Sequence, residues 1–223
     1  CFGEGWGWRR SGTVEAWRQL MKDQANKKVL QIRQTSGRQH WLKTSVQPRV
    51  DLVETGTCDL SIGPQQHSGC SWHPPTLWIG VGCERNTSKS LIYRAISQSL
   101  NDAGFAIEAI AGLATADRKA DEPALLALCH DHDWPLRTYT TEQLAVIPVP
   151  TPSQAVFKEM GTASVAEAAA LLTAGDSGTL RQSKRIHHAQ ESEQGAVTIA
   201  LAESAVPVAP HRGELHLIGS GPG

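Results

Sequence analysis

Apolar and polar positions divide the chain in two. From Leu77 to Glu203 short apolar runs alternate with stretches of helical periodicity, whereas residues 1–75 are rich in polar side chains and have few long apolar runs. Leu77-Trp78-Ile79-Gly80-Val81-Gly82-Cys83 reads as a buried strand, followed by Ile92, Ala95, Ile96 and Leu100 at helical spacing. Between them Glu84-Arg85-Asn86-Thr87-Ser88 is a polar turn, with Thr87 or Ser88 placed to cap the helix. Ile107 to Thr115 reads as a second buried strand. Ala124, Leu125, Leu128 and Cys129 give the next helix its apolar face, with Pro123 in its first turn. Leu136 to Tyr139 is a short strand. Thr140-Thr141-Glu142-Gln143 and Ser164-Val165-Ala166-Glu167 have capping-box spacing, and the helix after Ser164 stops at Gly175. Ala196 to Ala202 reads as a late strand. This alternation predicts a layered α/β domain of about 125 residues.

The first 75 residues hold five of the seven tryptophans, Trp6, Trp8, Trp17, Trp41 and Trp72. Residues 3–10 are too glycine-rich for a helix interior. Val14, Trp17, Leu20 and Met21 suit one helical face, and Val29 to Ile32 a short strand. Residues 55–75, with Gly56, Gly63, Pro64, Gly69, Pro74 and Pro75, read as loop or linker. The Trp6/Trp8 pair suits either stacking on a flat aromatic ligand or packing into a core. Residues 204–213, with Pro207, Pro210 and Gly213, read as a second linker, and residues 214–223 as the start of a further strand. The chain opens at Cys1 and stops at Gly223 directly after a glycine-rich turn, so both ends read as cuts.

Charge changes this picture little: 21 basic and 22 acidic residues nearly cancel, leaving no global field to recruit nucleic acid or an anionic membrane. No apolar run approaches the roughly 18 residues needed to span a bilayer. The five cysteines, Cys1, Cys58, Cys70, Cys83 and Cys129, are odd in number and form no CxxC pair, which fits a reducing cytoplasm. His187, His188 and His211 lack a third ligand at metal spacing, so no protein-bound metal is expected.

Four spaced motifs carry a family resemblance. Trp78 to Arg85 with Thr87-Ser88, Ile110 to Asp117 with Lys119-Ala120-Asp121-Glu122, Val149 to Ser153, and Gly161 to Leu172 resemble, in this order, the carboxyl-terminal domain of the cobalamin-biosynthesis protein CbiG. The resemblance closes on Ala196 to Ala200. Upstream, Phe2 to Arg10 and Gln31 to Trp41 resemble the middle region of a cyanobacterial-type fusion of CbiG with a precorrin-3B C17-methyltransferase, and residues 214–223 resemble the first strand and Gly-x-Gly-Pro-Gly loop of that methyltransferase. The implied fold class is α/β: a layered domain of the CobE/CbiG carboxyl-terminal type over residues 76–203, with an irregular tryptophan-rich arm over 1–75. The implied activity is cobalt-precorrin-5A hydrolysis, which opens a ring-A lactone and releases the bridging carbon as acetaldehyde. The alternative is a non-catalytic corrinoid-binding or scaffolding module resembling CobE. The cobalt would arrive in the corrinoid substrate, and S-adenosylmethionine would serve only the missing methyltransferase. Other cobalamin-biosynthesis enzymes are the implied protein partners. A generic nucleotide-binding domain fits poorly, because the glycine loop is too short for a dinucleotide fingerprint and no P-loop lysine follows it.

Lactone hydrolysis needs an activated water, stabilisation of an oxyanion and a proton for the leaving oxygen. Asp117, Lys119, Asp121 and Glu122 lie at the carboxyl end of a predicted strand, where open α/β sheets place their sites. These four are the expected catalytic residues, and crowding would raise the pKa of at least one carboxylate. The alternative is a capped helix start with a solvated charge cluster. The expected substrate-binding group is Gly80, Gly82, Cys83, Glu84, Arg85, Thr87 and Ser88, where the glycines allow close backbone approach and a helix terminus favours an anion. Arg85 is expected to grip a carboxylate, and Lys119 to steady an oxyanion or pair with a propionate. Cys83 is either an acyl-forming nucleophile near a helix terminus or a small buried residue. Lys184 joins the substrate-binding set through the resemblance alone, since Arg181-Gln182-Ser183-Lys184 keeps only the lysine of the family's pattern. If the first two strands are neighbours, residues 82–87 and 117–122 share one rim.

Overall fold

The computed structural model describes residues 2–43, 49–151 and 164–208. They build two five-stranded sheets. The first contains β1 (Arg9–Ser11), β2 (Leu30–Gln34), β3 (Val50–Leu52), β4 (Leu60–Ile62) and β5 (Cys70–His73), in the order β1-β5-β4-β2-β3. Two helices accompany it, the single turn α1 (Phe2–Gly5) and α2 (Val14–Ala25). The Thr13 side chain caps α2 by accepting from the Ala16 N–H.

This sheet corrects the expectation of an irregular arm. Its tryptophans make it a packed unit: Trp8, Trp17, Trp41 and Trp72 are buried around Leu30, Ile32, Leu60 and Ile62. Trp17 and Trp72 meet edge to face with ring centroids 5.3 Å apart, and Trp6 packs partly buried against the same cluster. Core packing therefore accounts for the Trp6/Trp8 pair. Residues 55–75 are likewise not a plain linker, since they supply β4 and β5. Strands of three and four residues are too short to show a period between glycines and prolines, yet both are completely buried. Residues 3–10 overlap the single turn α1 and then enter β1, so the glycine-rich stretch forms no longer helix.

The second sheet contains β6 (Leu77–Cys83), β7 (Ile110–Ala116), β8 (Leu136–Tyr139), β9 (Thr179–His188) and β10 (Ala196–Glu203), in the order β8-β7-β6-β10-β9. β6, β7 and β8 run parallel, while β10 is antiparallel to both β6 and β9. Helices α3 (Lys89–Ala103) and α4 (Pro123–His132) provide the crossovers, and α5 (Thr141–Ala145) and α6 (Val165–Ala174) follow β8. The side-chain period of two sorts β6 between two cores. Leu77, Ile79 and Val81 join Leu91, Ile92, Ile96, Leu125 and Leu128 on one face. The other face is built small, with Ala114, Ala116, Ala168 and Ala169 in one cluster and Ala170, Ala174 and Ala202 beside Trp78 in another, so α6 lies close to the strands.

Both sequence capping boxes open helices, in different ways. Thr140 and Gln143 exchange both bonds of the box. Ser164 accepts from the Glu167 N–H, but the Glu167 carboxylate turns elsewhere. Strand β9 had no counterpart among the predicted elements. It is a sheet edge with an alternating, largely exposed face, so no apolar run announces it.

The two sheets touch through backbone and side chain. Arg9 donates from Nη1 to the carbonyls of Glu108 and Ile110, at 3.1 and 2.7 Å. The Ala106 N–H reaches the Pro64 carbonyl, and Gln65 bridges Phe105. Beyond β10, Ser204 and Val208 bond back to Thr76 and Pro75. Residues 209–223, including the segment resembling a methyltransferase strand, lie outside the described residues. Among those described, no helix is long and apolar enough to cross a membrane.

Candidate functional site

Strands β6 and β7 are parallel neighbours, so their carboxyl ends and the loops after them form one rim, as expected for an open α/β sheet. Arg85, from the first loop, reaches across to the second. Its Nη1 lies 2.6 Å from Asp121 Oδ1, and its Nη2 donates to the Arg118 carbonyl. Asn86, with a left-handed φ of 59°, donates its N–H to Glu122 Oε1 at 2.9 Å. An asparagine tolerates that conformation where most residues do not.

The first loop is also tied to the β9–β10 turn. Glu84 N–H donates to the Ala196 carbonyl, Ser88 N–H to that of Gln194, and Gln194 N–H returns a bond to Ser88 Oγ at 2.7 Å. Thr87 is buried and its hydroxyl donates to the Glu84 carbonyl at 2.9 Å. A β-carbon on Gly195 would sit 2.6 Å from Thr87 Oγ1, so this turn packs directly on the loop. Thr87 and Ser88 therefore shape the rim, and neither lines the cavity beside it. Ser88 does occupy the N-cap position of α3, but its oxygen serves Gln194 and makes no cap bond.

Beside the rim opens a cavity of about 440 Å³. Gly82, Cys83, Glu84 and Arg85 form one wall, and Thr115, Ala116 and Lys119 another. The start of α6 and strands β9 and β10 close it, contributing Ser164 to Ala166, Lys184, Ile186 and Thr198. Three cations, Arg85, Lys119 and Lys184, thus face one space, and Glu84 is the one carboxylate on its walls among the described residues.

Several sequence-predicted residues lie elsewhere. Gly80 is away from this cavity: a β-carbon there would come 1.8 Å from the Ala166 carbonyl oxygen, so its bareness admits helix α6, not a ligand. Gly82 is different, because the nearest atoms to an added β-carbon are 3.8 Å away and the residue lines the cavity. Asp117 and Asp121 are on the rim but outside the cavity wall. Asp121 is 77% exposed, and its hydrogen bond from Arg85 holds its carboxyl below the usual range. The rise expected of a crowded carboxylate does not occur there. Glu122 is fully buried, with Oε2 3.6 Å from Arg85 Nη1 and 3.8 Å from Lys119 Nζ. It anchors the two cations from below.

Cys83 lines the cavity, yet burial pushes its thiol up to about 11, which leaves it protonated at neutral pH. Near neutrality that suits the small-residue reading and not the nucleophile. Lys184, on β9, donates from Nζ to the Thr151 carbonyl, and its own N–H bonds Glu167 Oε1 at 3.1 Å. Glu167 is fully buried, also accepts from the Thr151 hydroxyl, and leaves Oε2 without a hydrogen-bond partner. Its part in holding Lys184 joins three distant segments, and the capping-box spacing around it gave no sign of this. Among the described residues no group of three or more His, Cys, Asp and Glu has metal-site geometry.

The family model for the cobalamin synthesis G C-terminus matches residues 77–202, which contain β6 to β10 apart from the last residue of β10. A cobalt-precorrin-5A hydrolase of Priestia megaterium is 33% identical over 135 residues, 60% of this chain and 34% of that protein. The chain thus spans about a third of the length of that relative. Protein CobE of Sinorhizobium sp is 33% identical over 126 residues, 55% of this chain and 82% of CobE. A crystal structure of CobE, described as a protein from the cobalamin (vitamin B12) biosynthetic pathway, aligns with a TM-score of 0.50 at 29% identity, over 57% of this chain and 92% of that one.

Proposed function

The chain belongs to the cobalamin synthesis G carboxyl-terminal family, and from that premise we propose that it acts in cobalamin biosynthesis as the corrinoid-handling part of a cobalt-precorrin-5A hydrolase. The observation that carries this reading is the cationic cavity at the strand ends, with Arg85, Lys119 and Lys184 around a space of about 440 Å³. A corrinoid intermediate is a macrocycle edged with carboxylates. The cavity is too small for the macrocycle but suits one lactone-bearing edge and its neighbouring acid side chains. Arg85 and Lys184 would grip those acids, the former through its planar fork.

Lys119 is 14% exposed and held by Glu122, so it is the better-ordered cation for an oxyanion. Glu84, on the other wall of the same cavity, would take a proton from the attacking water. The water oxygen bonds to the lactone carbonyl carbon, the carbonyl–alkoxide bond breaks, and the leaving oxygen receives the proton. The cobalt comes with the substrate in this scheme. Fusion to a methyltransferase using S-adenosylmethionine, and contacts with other enzymes of the pathway, belong to the same proposal. A cytoplasmic setting would suit cysteines scattered along the sequence without a CxxC pair.

One observation favours a second reading, a corrinoid-binding module without hydrolysis: the match spans 82% of CobE but only 34% of the hydrolase. Incubation with cobalt-precorrin-5A separates the two. Hydrolysis yields acetaldehyde in step with substrate loss. A binding module perturbs the corrinoid absorption spectrum and releases none, and a chain doing neither refutes both.

A further inference from the structure

A second cavity, of about 460 Å³, lies where the two sheets meet, and Ser11, Gln66, His67, Leu100, Phe105 and Glu108 are among its walls. Ser11 Oγ is 2.8 Å from His73 Nε2, and His73 Nδ1 is 2.7 Å from the Gly63 carbonyl. A carbonyl only accepts, so Nδ1 carries the proton and Nε2 of the neutral ring must accept from the Ser11 hydroxyl. His73 is fully buried, and burial lowers its pKa, which keeps the ring neutral with Nε2 as an acceptor. Strand register sets Ser71 directly opposite Ser11, on the same sheet face. The Ser71 hydroxyl is fully buried and has no hydrogen-bond partner, an unmet donor beside the pair.

We propose that Ser11 and His73 are a nucleophile and its general base, opening onto this second cavity and directed at small esters with a short apolar acyl group. The arrangement has the order that acyl transfer requires: a hydroxyl on a base, and the base fixed in tautomer by a third group. Here a backbone carbonyl fixes the tautomer and ring orientation, one of the two roles that a carboxylate has in the serine triads. Leu100 and Phe105 suit an apolar acyl chain, and Glu108 disfavours an anionic one. Ser11 Oγ bonds to the acyl carbon while its proton passes to His73 Nε2. The alkoxide departs with that proton, and the unpartnered Ser71 hydroxyl, on the residue opposite Ser11 in the register, is a spare donor on the same sheet face. Water then cleaves the acyl-serine by the reverse proton path. This centre is independent of the corrinoid cavity.

The test uses the full chain and a fluorophosphonate probe, with peptide mass spectrometry to locate the adduct. The proposal expects an adduct on Ser11 that slows by about 10²-fold or more in His73→Asn, the usual weight of a general base. Should His73→Asn fail to fold, Ser11→Cys leaves the base in place, and its thiol should then be alkylated by iodoacetamide faster at pH 7 than Cys58 of the same chain. Absence of a Ser11 adduct on the folded protein, equal labelling of His73→Asn, or a Ser11→Cys thiol no faster than Cys58 each overturns the proposal.

Discussion

Arg85 and Asp121 pair at 2.6 Å across the gap between the β6 and β7 loops, and both side chains are more than half exposed. An exposed pair of this kind contributes little to stability and yields readily to a competing carboxylate. On the proposed function, Asp121 would hold the Arg85 fork until an acidic substrate group displaced it. Asp121→Asn should tighten corrinoid binding by freeing Arg85, and Arg85→Ala should weaken it, with the melting temperature little changed in either. Titration of corrinoid absorbance at two salt concentrations checks this, since screening should shrink both effects. Weaker binding by Asp121→Asn would contradict the displacement scheme.

Gly80 and Gly82 are two residues apart and face opposite demands. A β-carbon at Gly80 would meet the Ala166 backbone at 1.8 Å, and a backbone cannot swing aside as a side chain does. Gly80→Ala should cost about 1–3 kcal/mol or more through overpacking of α6. Gly82→Ala meets nothing closer than 3.8 Å and should fold normally while narrowing the cavity. Urea unfolding of the two variants, with corrinoid titration of Gly82→Ala, measures both effects.

The parts of this fold that were legible in the sequence are those in which local pattern and burial agree. Strand β6 announces itself because seven consecutive residues are largely inside. The family motifs coincide with the rim, and the adjacency of β6 and β7 follows from their short crossover. Strand β9 was hidden because half of its side chains face water, and β4 and β5 because three or four residues show no period. The roles of Gly80 and Glu167 depend on residues more than fifteen positions away. A glycine pair reads the same whether it admits a ligand or a helix, and only the Ala166 carbonyl decides between them.

The thiols of Cys83 and Cys129 are both raised by burial, from an ordinary 9.0 to about 11. Between those values the folded chain keeps protons that the unfolded chain has lost. Their stabilising contribution is complete below pH 9 and disappears as pH rises through 11. The alkaline limb of the stability curve should therefore fall between pH 9 and 11, and less steeply in the Cys83→Ala and Cys129→Ala variants. Unfolding midpoints measured across that range test the sign directly.

Glu122 sits beneath Arg85 and Lys119, with one oxygen bonded to Asn86 N–H and the other near both cations. Glu122→Gln keeps an amide oxygen for Asn86 and removes the charge. The expected loss is about 1–3 kcal/mol, as for a buried polar group stripped of its partner, together with weaker substrate affinity from a less ordered Lys119. Glu122→Ala removes the Asn86 contact as well and should be the less stable of the two in urea. Equal stability of both variants and the parent would show that the carboxylate does not anchor the rim.

The choice of base turns on position and availability. Asp121 is held ionised by Arg85 and faces solvent, and Asp117 is off the cavity wall. Glu84 lines the same space as Lys119, and its N–H is fastened to Ala196, so its backbone is fixed relative to the oxyanion position. Loss of a general base typically costs about 10²–10⁴ in rate. Glu84→Gln should therefore suppress acetaldehyde release by that factor while the corrinoid still binds, because the amide retains the shape of the wall. Asp117→Asn and Asp121→Asn should stay within a few-fold of the parent. Lys119→Met should lower turnover more than affinity, since its cation matters most when the oxyanion forms. A Glu84→Gln variant turning over at the parent rate, beside a slow Asp117→Asn, would move the base to the β7 loop and leave Glu84 as part of the wall.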